Sequence, residues 1–172
     1  MKFLSKGRTL INIKKNVKGI NIPESYCFKV REFKKNPKKI IKIIKEKFKD
    51  QIVIRSSAHV EDKKKESLAG KFKSFLNISP NKDLEVLETI NQVIKSYKNY
   101  SSFNDEVLIQ SMVKNIKMSG VIMTRYKNNS APYNIIEYSL SSKSDDITSG
   151  TNQVKSFTYF KNQNLRSKKI RI

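Results

Sequence analysis

The sequence is short of the residues that staple a fold or ligate a metal. It has one cysteine, Cys27, and one histidine, His59, in 172 residues. A single thiol forms no internal disulfide framework, and its solitude points to a reducing compartment. One Cys and one His are too few for a zinc site. Long apolar runs are also missing. No stretch reaches the ~18 residues that a membrane-spanning helix needs, and the opening MKFLSKGRTL lacks the apolar centre of a signal peptide. The chain is therefore expected in the cytoplasm, with no membrane span. Acidic residues are scarce: 15 Asp+Glu against 36 Lys+Arg leave a net charge of +21. Such a charge attracts polyanions, whether nucleic acid, anionic membrane or nucleotide. It also has a bland source. Lys, Asn and Ile are abundant together, as AT-rich coding produces, and the lysines are spread along the chain rather than gathered in one tail. A basic nucleic-acid-binding protein is one functional reading of this charge.

What is present is enough for a core. Nine Phe, seven Tyr and a hydrophobic fraction of 37% suit one domain or two small lobes. Leu10, Ile11, Ile13 and Val17 have helical spacing within residues 6–18, and Gly19 suits the position after a helix end. After Pro23, the alternation of Tyr26, Phe28 and Val30 predicts a short strand. Pro37 then opens a helix whose apolar face is Ile40, Ile41, Ile44 and Phe48. Residues 51–54 form a short buried strand ending at Arg55. A further helix carries Leu84, Leu87, Ile90, Val93, Ile94 and Tyr97, with Asp83 as its candidate cap. Strand-like runs follow at 107–112, 121–125, 134–138 and 154–160. The change from mixed helix and strand to mostly strand near residue 113 predicts two lobes, 1–112 and 113–172, with a hinge between them. The polar segment SLSSKSDDITSGTNQ is a long loop, of the kind that often carries function.

The most informative stretch is IVIRSSAHVEDKKKESLAGKFKSFLNI, residues 52–78. An arginine at the end of a buried strand can aim its planar fork at a phosphate, making paired charge-assisted hydrogen bonds. Ser56 and Ser57 add donors, and Ala69-Gly70 lets a backbone come close to an anion. The alternative is an ion pair from Arg55 to Glu61 or Asp62 that pins the turn.

This stretch resembles the signature of the ATP-binding domain of the phosphoenolpyruvate synthase and pyruvate phosphate dikinase family. There a strand ends in R-S-S-A, an E-D pair follows, and then S-x-A-G-x-F-x-S-x-L-N-V. The matching residues are Arg55 to Ala58, Glu61, Asp62, Ser67, Ala69, Gly70, Phe72, Ser74, Leu76 and Asn77. SKGRTL is similar to the family's N-terminal G-G-K-(G/A)-x-x-L, and INIPESYCF to its V-P-x-G-F segment. EVLIQSMVKNIKMSGVIMTR is similar to its V-L-V-Q-x-M-V…S-G-V-x-F-T segment, and DDITSGTNQVKSFTYFK to its E-x-V-V-S-G…Y-x-F-K. The resemblance covers nearly all of the chain. It implies an α+β, ATP-grasp-like fold of two lobes closing on a nucleotide.

It also implies roles. Lys6 and Arg55 hold the ATP phosphates and stabilise charge on the transferring group. Ser67 to Lys71, with Ala69 and Gly70, form a flap over the triphosphate. Gln110, Met112 and Val113 line the adenine slot, and Asp145 faces the ribose or a metal. The plain alternatives are a helix-start lysine for Lys6, a strand-edge polar residue for Gln110, core for Met112, and a solvated turn for Asp145 and Asp146. His59 sits where the family has no catalytic residue, and is expected to be an exposed loop residue. The implied reaction splits ATP into AMP and phosphate and phosphorylates a histidine on a separate domain. That histidine passes the phosphate to pyruvate or another small acceptor.

The chain departs from the pattern in three places. Leu4-Ser5 replaces the paired glycines before Lys6, which reduces backbone freedom there. SLSSKSDD replaces a glycine-rich G-L-G-E loop, and with the following T-S-G it is similar to the divergent glutamine-kinase-like subgroup. The sequence stops at LRSKKIRI, before the L-Q-x-R-P segment whose strands carry the family's acidic Mg2+ ligands. The expectation is an ATP-grasp-like domain incomplete at its C-terminus and inactive alone. Its partners would be downstream phosphohistidine and acceptor domains, on the same or a separate chain. A non-catalytic nucleotide-binding remnant or a split-gene subunit is the alternative.

Overall fold

A computed structural model describes residues 4–58, 72–97, 104–126, 129–140 and 154–160. The chain divides into two compact units, Met1–Met112 and Val113–Ile172.

In the first unit the order is α1 (Lys6–Asn16), β1 (Ser25–Lys29), α2 (Val30–Lys35), α3 (Pro37–Lys47), β2 (Ile52–Ser57), β3 (Ser74–Ile78), α4 (Asp83–Ser96) and β4 (Glu106–Ser111). The strands form one sheet, β1-β4-β2-β3, antiparallel at every pairing. β4 is inner and buried from Glu106 to Gln110. Strand alternation sorts its residues between two faces. Phe28, Ile52, Ile54, Val107 and Ile109 join the main core, where α3 contributes Ile40, Ile41 and Ile44 and α4 contributes Val86, Ile90 and Val93. Ile44, Ile52 and Ile90 are fully buried. Burial of such side chains is worth about 1.5–3 kcal/mol each, so this layer supplies most of the unit's hydrophobic stabilisation. The other set of residues, Cys27, Glu106, Leu108, Gln110, Val53, Arg55 and Ser57, shares the register rows of the opposite face. α1 packs against this second face through β1 and β4.

Local chemistry explains the helix starts. Asn36 Oδ1 accepts from the Lys39 backbone N–H at 3.0 Å, and Pro37 takes the first helical position of α3. Ser5 caps α1 by accepting from the Arg8 N–H at 3.4 Å. Three sequence expectations are corrected. Val30 opens α2 instead of extending the strand, because Glu32 accepts from the Lys29 N–H at 2.8 Å, a helix-start contact. Asp83 is the first helical residue of α4 and pairs with Lys45 at 2.7 Å; the capping position is Lys82. Leu84 is 75% exposed. It lies two residues from Val86, about 200° around the helix from the buried stripe.

β2 and β3 carry one irregularity. Ile52 pairs with Ile78 but Ile54 pairs with Phe75, so β3 holds an extra residue. Asn77 sits there at φ 59°, in the left-handed region that Asn tolerates better than most residues. In the second unit β5 (Ser119–Met123), β6 (Tyr133–Ser139) and β7 (Lys155–Phe160) form an antiparallel sheet in the order β5-β6-β7. Ile135 is buried, and the Tyr133 and Phe160 rings meet edge to face at 5.4 Å.

Candidate functional site

The first turn of α1 is drawn hard against the sheet. Gly7 approaches so closely that a Cβ there would lie 2.5 Å from Cys27 Sγ and 3.3 Å from Ser57 Oγ. Only glycine fits that gap. The Gly7 N–H donates to Ser57 Oγ at 3.0 Å, using one of the amide donors that a helix start leaves over.

A buried carboxylate organises the turn. Glu106, at the start of β4, is 2% exposed. Arg8 Nε donates to its Oε1 at 2.8 Å, while the Ser5 hydroxyl and the Cys27 thiol donate to its Oε2, the thiol at 3.4 Å. Burial pushes the Glu106 carboxyl up. The hydrogen bonds from Ser5 and Arg8, with the Arg8 charge, outweigh burial and hold it below the usual carboxylate range. The same hydrogen bond raises the Arg8 guanidinium. Burial, then the Glu106 charge, drives the Cys27 thiol up to about 12, so it is neutral and a donor. Tyr97, fully buried, closes the cluster: its hydroxyl donates to the Glu106 backbone oxygen at 2.6 Å and accepts from the Ser57 N–H at 3.3 Å.

Beside this anchored turn opens a cleft of about 460 Å³, bounded by Leu4, Lys6, Thr9, Arg55, Ser74 and Leu108 among others. Lys6 comes from the first turn of α1 and Arg55 from β2, and both line the same space. Among the described residues that line it none is acidic. Among the described residues no carboxylate pairs with Arg55. Arg55 lies inside β2 rather than at its end, because Ser56 and Ser57 continue the ladder opposite Val107 and Glu106. A second cavity, of about 250 Å³, is lined by α1, β1 and Lys47. Two of its lysines, Lys14 and Lys47, are matched by one carboxylate. Glu24 accepts from Lys14 at 2.7 Å and pairs with Lys47 at 2.8 Å, and those two hydrogen bonds bring its carboxyl down to about 2. The Lys6–Arg55 cleft is the one of the two that brings a lysine and an arginine from separate elements to one space.

The family model for the pyruvate phosphate dikinase AMP/ATP-binding domain matches residues 12–170. The chain belongs to that family. A search of the curated proteins finds no match. As a member of the dikinase AMP/ATP-binding family the chain is a nucleotide-binding domain, with the mixed α and β elements that such a domain has. The matched span takes in Arg55, and Lys6 lies ahead of it. No helix among the described residues is long and apolar enough to cross a membrane. Among them, too, no three His, Cys, Asp or Glu side chains gather as a metal site.

The other residues singled out in the sequence fall as follows. Gln110 is buried on β4, opposite Val53, and shares the sheet face of Arg55 and Leu108. Met112 follows β4, its N–H donating to the Gln51 oxygen at 3.0 Å. Val113, 56% exposed, begins the second unit. Ser67, Ala69, Gly70, Lys71, Asp145, His59, Glu61 and Asp62 lie outside the described residues. Sequence reasoning missed Ser5, Gly7, Arg8, Glu106 and Tyr97. The one available clue was an acidic residue opening an otherwise apolar strand, EVLIQ.

Proposed function

We propose that the chain is the ATP-binding part of an ATP-grasp dikinase, and that the Lys6–Arg55 cleft receives the triphosphate. The observation that supports this most is the cleft itself: two cations from separate elements, one of them at a helix start, line the same space. Arg55 offers a bidentate fork and Lys6 a compact charge, the complementary ways of holding phosphate oxygens. The amide end of α1 adds a favourable field for an anion. Ser67 to Lys71 would cover the phosphates, and Gln110, Met112 and Val113 would take the adenine. Asp145 would face the ribose or the magnesium ion that accompanies ATP. The phosphoryl group would pass through a histidine on a further domain to pyruvate or another small acceptor, such as an amide in the glutamine-kinase-like subgroup.

The test is calorimetric titration of ATP into the chain and into Arg55→Ala. Loss of a charge-assisted contact worth about 1.5–3 kcal/mol weakens binding roughly 10- to 100-fold. Arg55 is exposed, so the substitution leaves the core intact. Inorganic tripolyphosphate at matched ionic strength separates ATP recognition from general attraction to a +21 chain. Unchanged ATP affinity in folded Arg55→Ala refutes the assignment.

A further inference from the structure

We infer that Glu106 is a positioning residue for the phosphate cleft, acting through Lys6; the inference rests on the phosphate role just proposed for Lys6 and Arg55. Lysine is a poor aiming device. Its four-carbon stem is flexible, so where the ammonium goes depends on how firmly its backbone is held. Lys6 is bracketed by anchored residues. Ser5 and Arg8 donate to the two oxygens of Glu106, and the Gly7 N–H donates to Ser57 Oγ. Of the run Ser5 to Arg8, Lys6 is the residue that lines the cleft. Glu106 is also the register partner of Ser57, two residues along β2 from Arg55. Glu106 therefore holds the backbone that bears Lys6 with its side chain, while its own strand is paired with the strand that bears Arg55.

The choice of a carboxylate here has an electrostatic cost. A carboxylate beneath an anion-binding cleft opposes the ligand, and a neutral residue would spare that repulsion. Electrostatics alone then predicts that removing the Glu106 charge tightens ATP binding. Loss of positioning predicts the opposite, so the sign of the change discriminates.

The experiment titrates ATP into the chain, Lys6→Ala, Glu106→Gln, Ser5→Ala and the two double variants with Lys6→Ala, with unfolding midpoints measured alongside. Glu106→Gln should weaken ATP binding about tenfold when Lys6 is present and leave it unchanged in the Lys6→Ala background. Its effect on the unfolding midpoint should be the same in both backgrounds, which a purely structural role would also show. Ser5→Ala, which changes no charge, should repeat the pattern with a smaller loss; it carries the comparison if Glu106→Gln fails to fold. Equal or tighter binding by Glu106→Gln overturns the inference, as does an equal loss with and without Lys6. Wild-type binding by Lys6→Ala is a separate result: it removes the phosphate role of Lys6 and this inference with it. Weak binding by Lys6→Ala with no effect of Glu106→Gln removes the inference alone.

Discussion

Gly7→Ala is the sharpest probe of how closely α1 sits on the sheet. On an exposed helix surface this substitution gains about 1 kcal/mol from reduced backbone entropy and better propensity. Here the new methyl would stand 2.5 Å from Cys27 Sγ and 3.3 Å from Ser57 Oγ. Non-bonded carbons settle at about 3.5–4.0 Å, so the overlap with sulfur is roughly 1 Å. Turning the Cys27 side chain away gives up its bond to Glu106, and lifting the helix breaks the Gly7–Ser57 bond. Overpacking of this kind costs about 1–3 kcal/mol. With about 1 kcal/mol more for the hydrogen bond given up and about 1 kcal/mol regained from propensity, the net expectation is a loss of about 1–3 kcal/mol, or roughly 1 M in urea midpoint for a unit of this size. The assay is urea unfolding followed by the far-ultraviolet helical signal, since all four described helices lie in the first unit. Adding Cys27→Ala removes the sulfur, so the double variant should lose less than the two single variants summed. A Gly7→Ala chain as stable as wild type would refute the close approach.

Two further outcomes are expected. Tyr97→Phe removes a buried hydroxyl that both donates to Glu106 and accepts from Ser57; it should cost about 1–3 kcal/mol, and a loss under a few tenths in the same urea assay would contradict the bridge. Glu106 is held below its ordinary pKa in the folded chain, so the unfolded chain takes up the proton first. The stability this contributes is present above the ordinary carboxylate range and is lost as pH falls through that range toward the depressed value. Unfolding midpoints from about pH 7 down to pH 3 should fall less steeply for Glu106→Gln than for wild type, and parallel curves would exclude the carboxylate as the acid-sensitive group.

The legible parts of this fold were those written in local periodicity. The Ile40, Ile41, Ile44 face and the Ile90, Val93, Tyr97 stripe need only a helix pitch to be seen, and all of them are buried. The family signature around Arg55 was equally visible, because its residues are contiguous in sequence. The Glu106 cluster was not. Ser5 and Glu106 are 101 residues apart, and they meet only because β4 inserts between β1 and β2 in the sheet. Without that strand order, Glu106 reads as one more charge near a loop. Val30 misled for the opposite reason. Its alternation with Tyr26 and Phe28 is real, but a glutamate two residues on turned the backbone into α2. Leu84 shows that an apolar residue near a stripe is not part of it unless its angle agrees.

The buried thiol bears on handling of the protein. The chain has a single cysteine, and in the folded state its proton is held to about pH 12. The thiolate is the reactive form toward oxidants and other thiols. Covalent pairing of two molecules through Cys27 is therefore slow in the folded chain, and a cross-linked band on a non-reducing gel reports opening of the contact between α1 and β1.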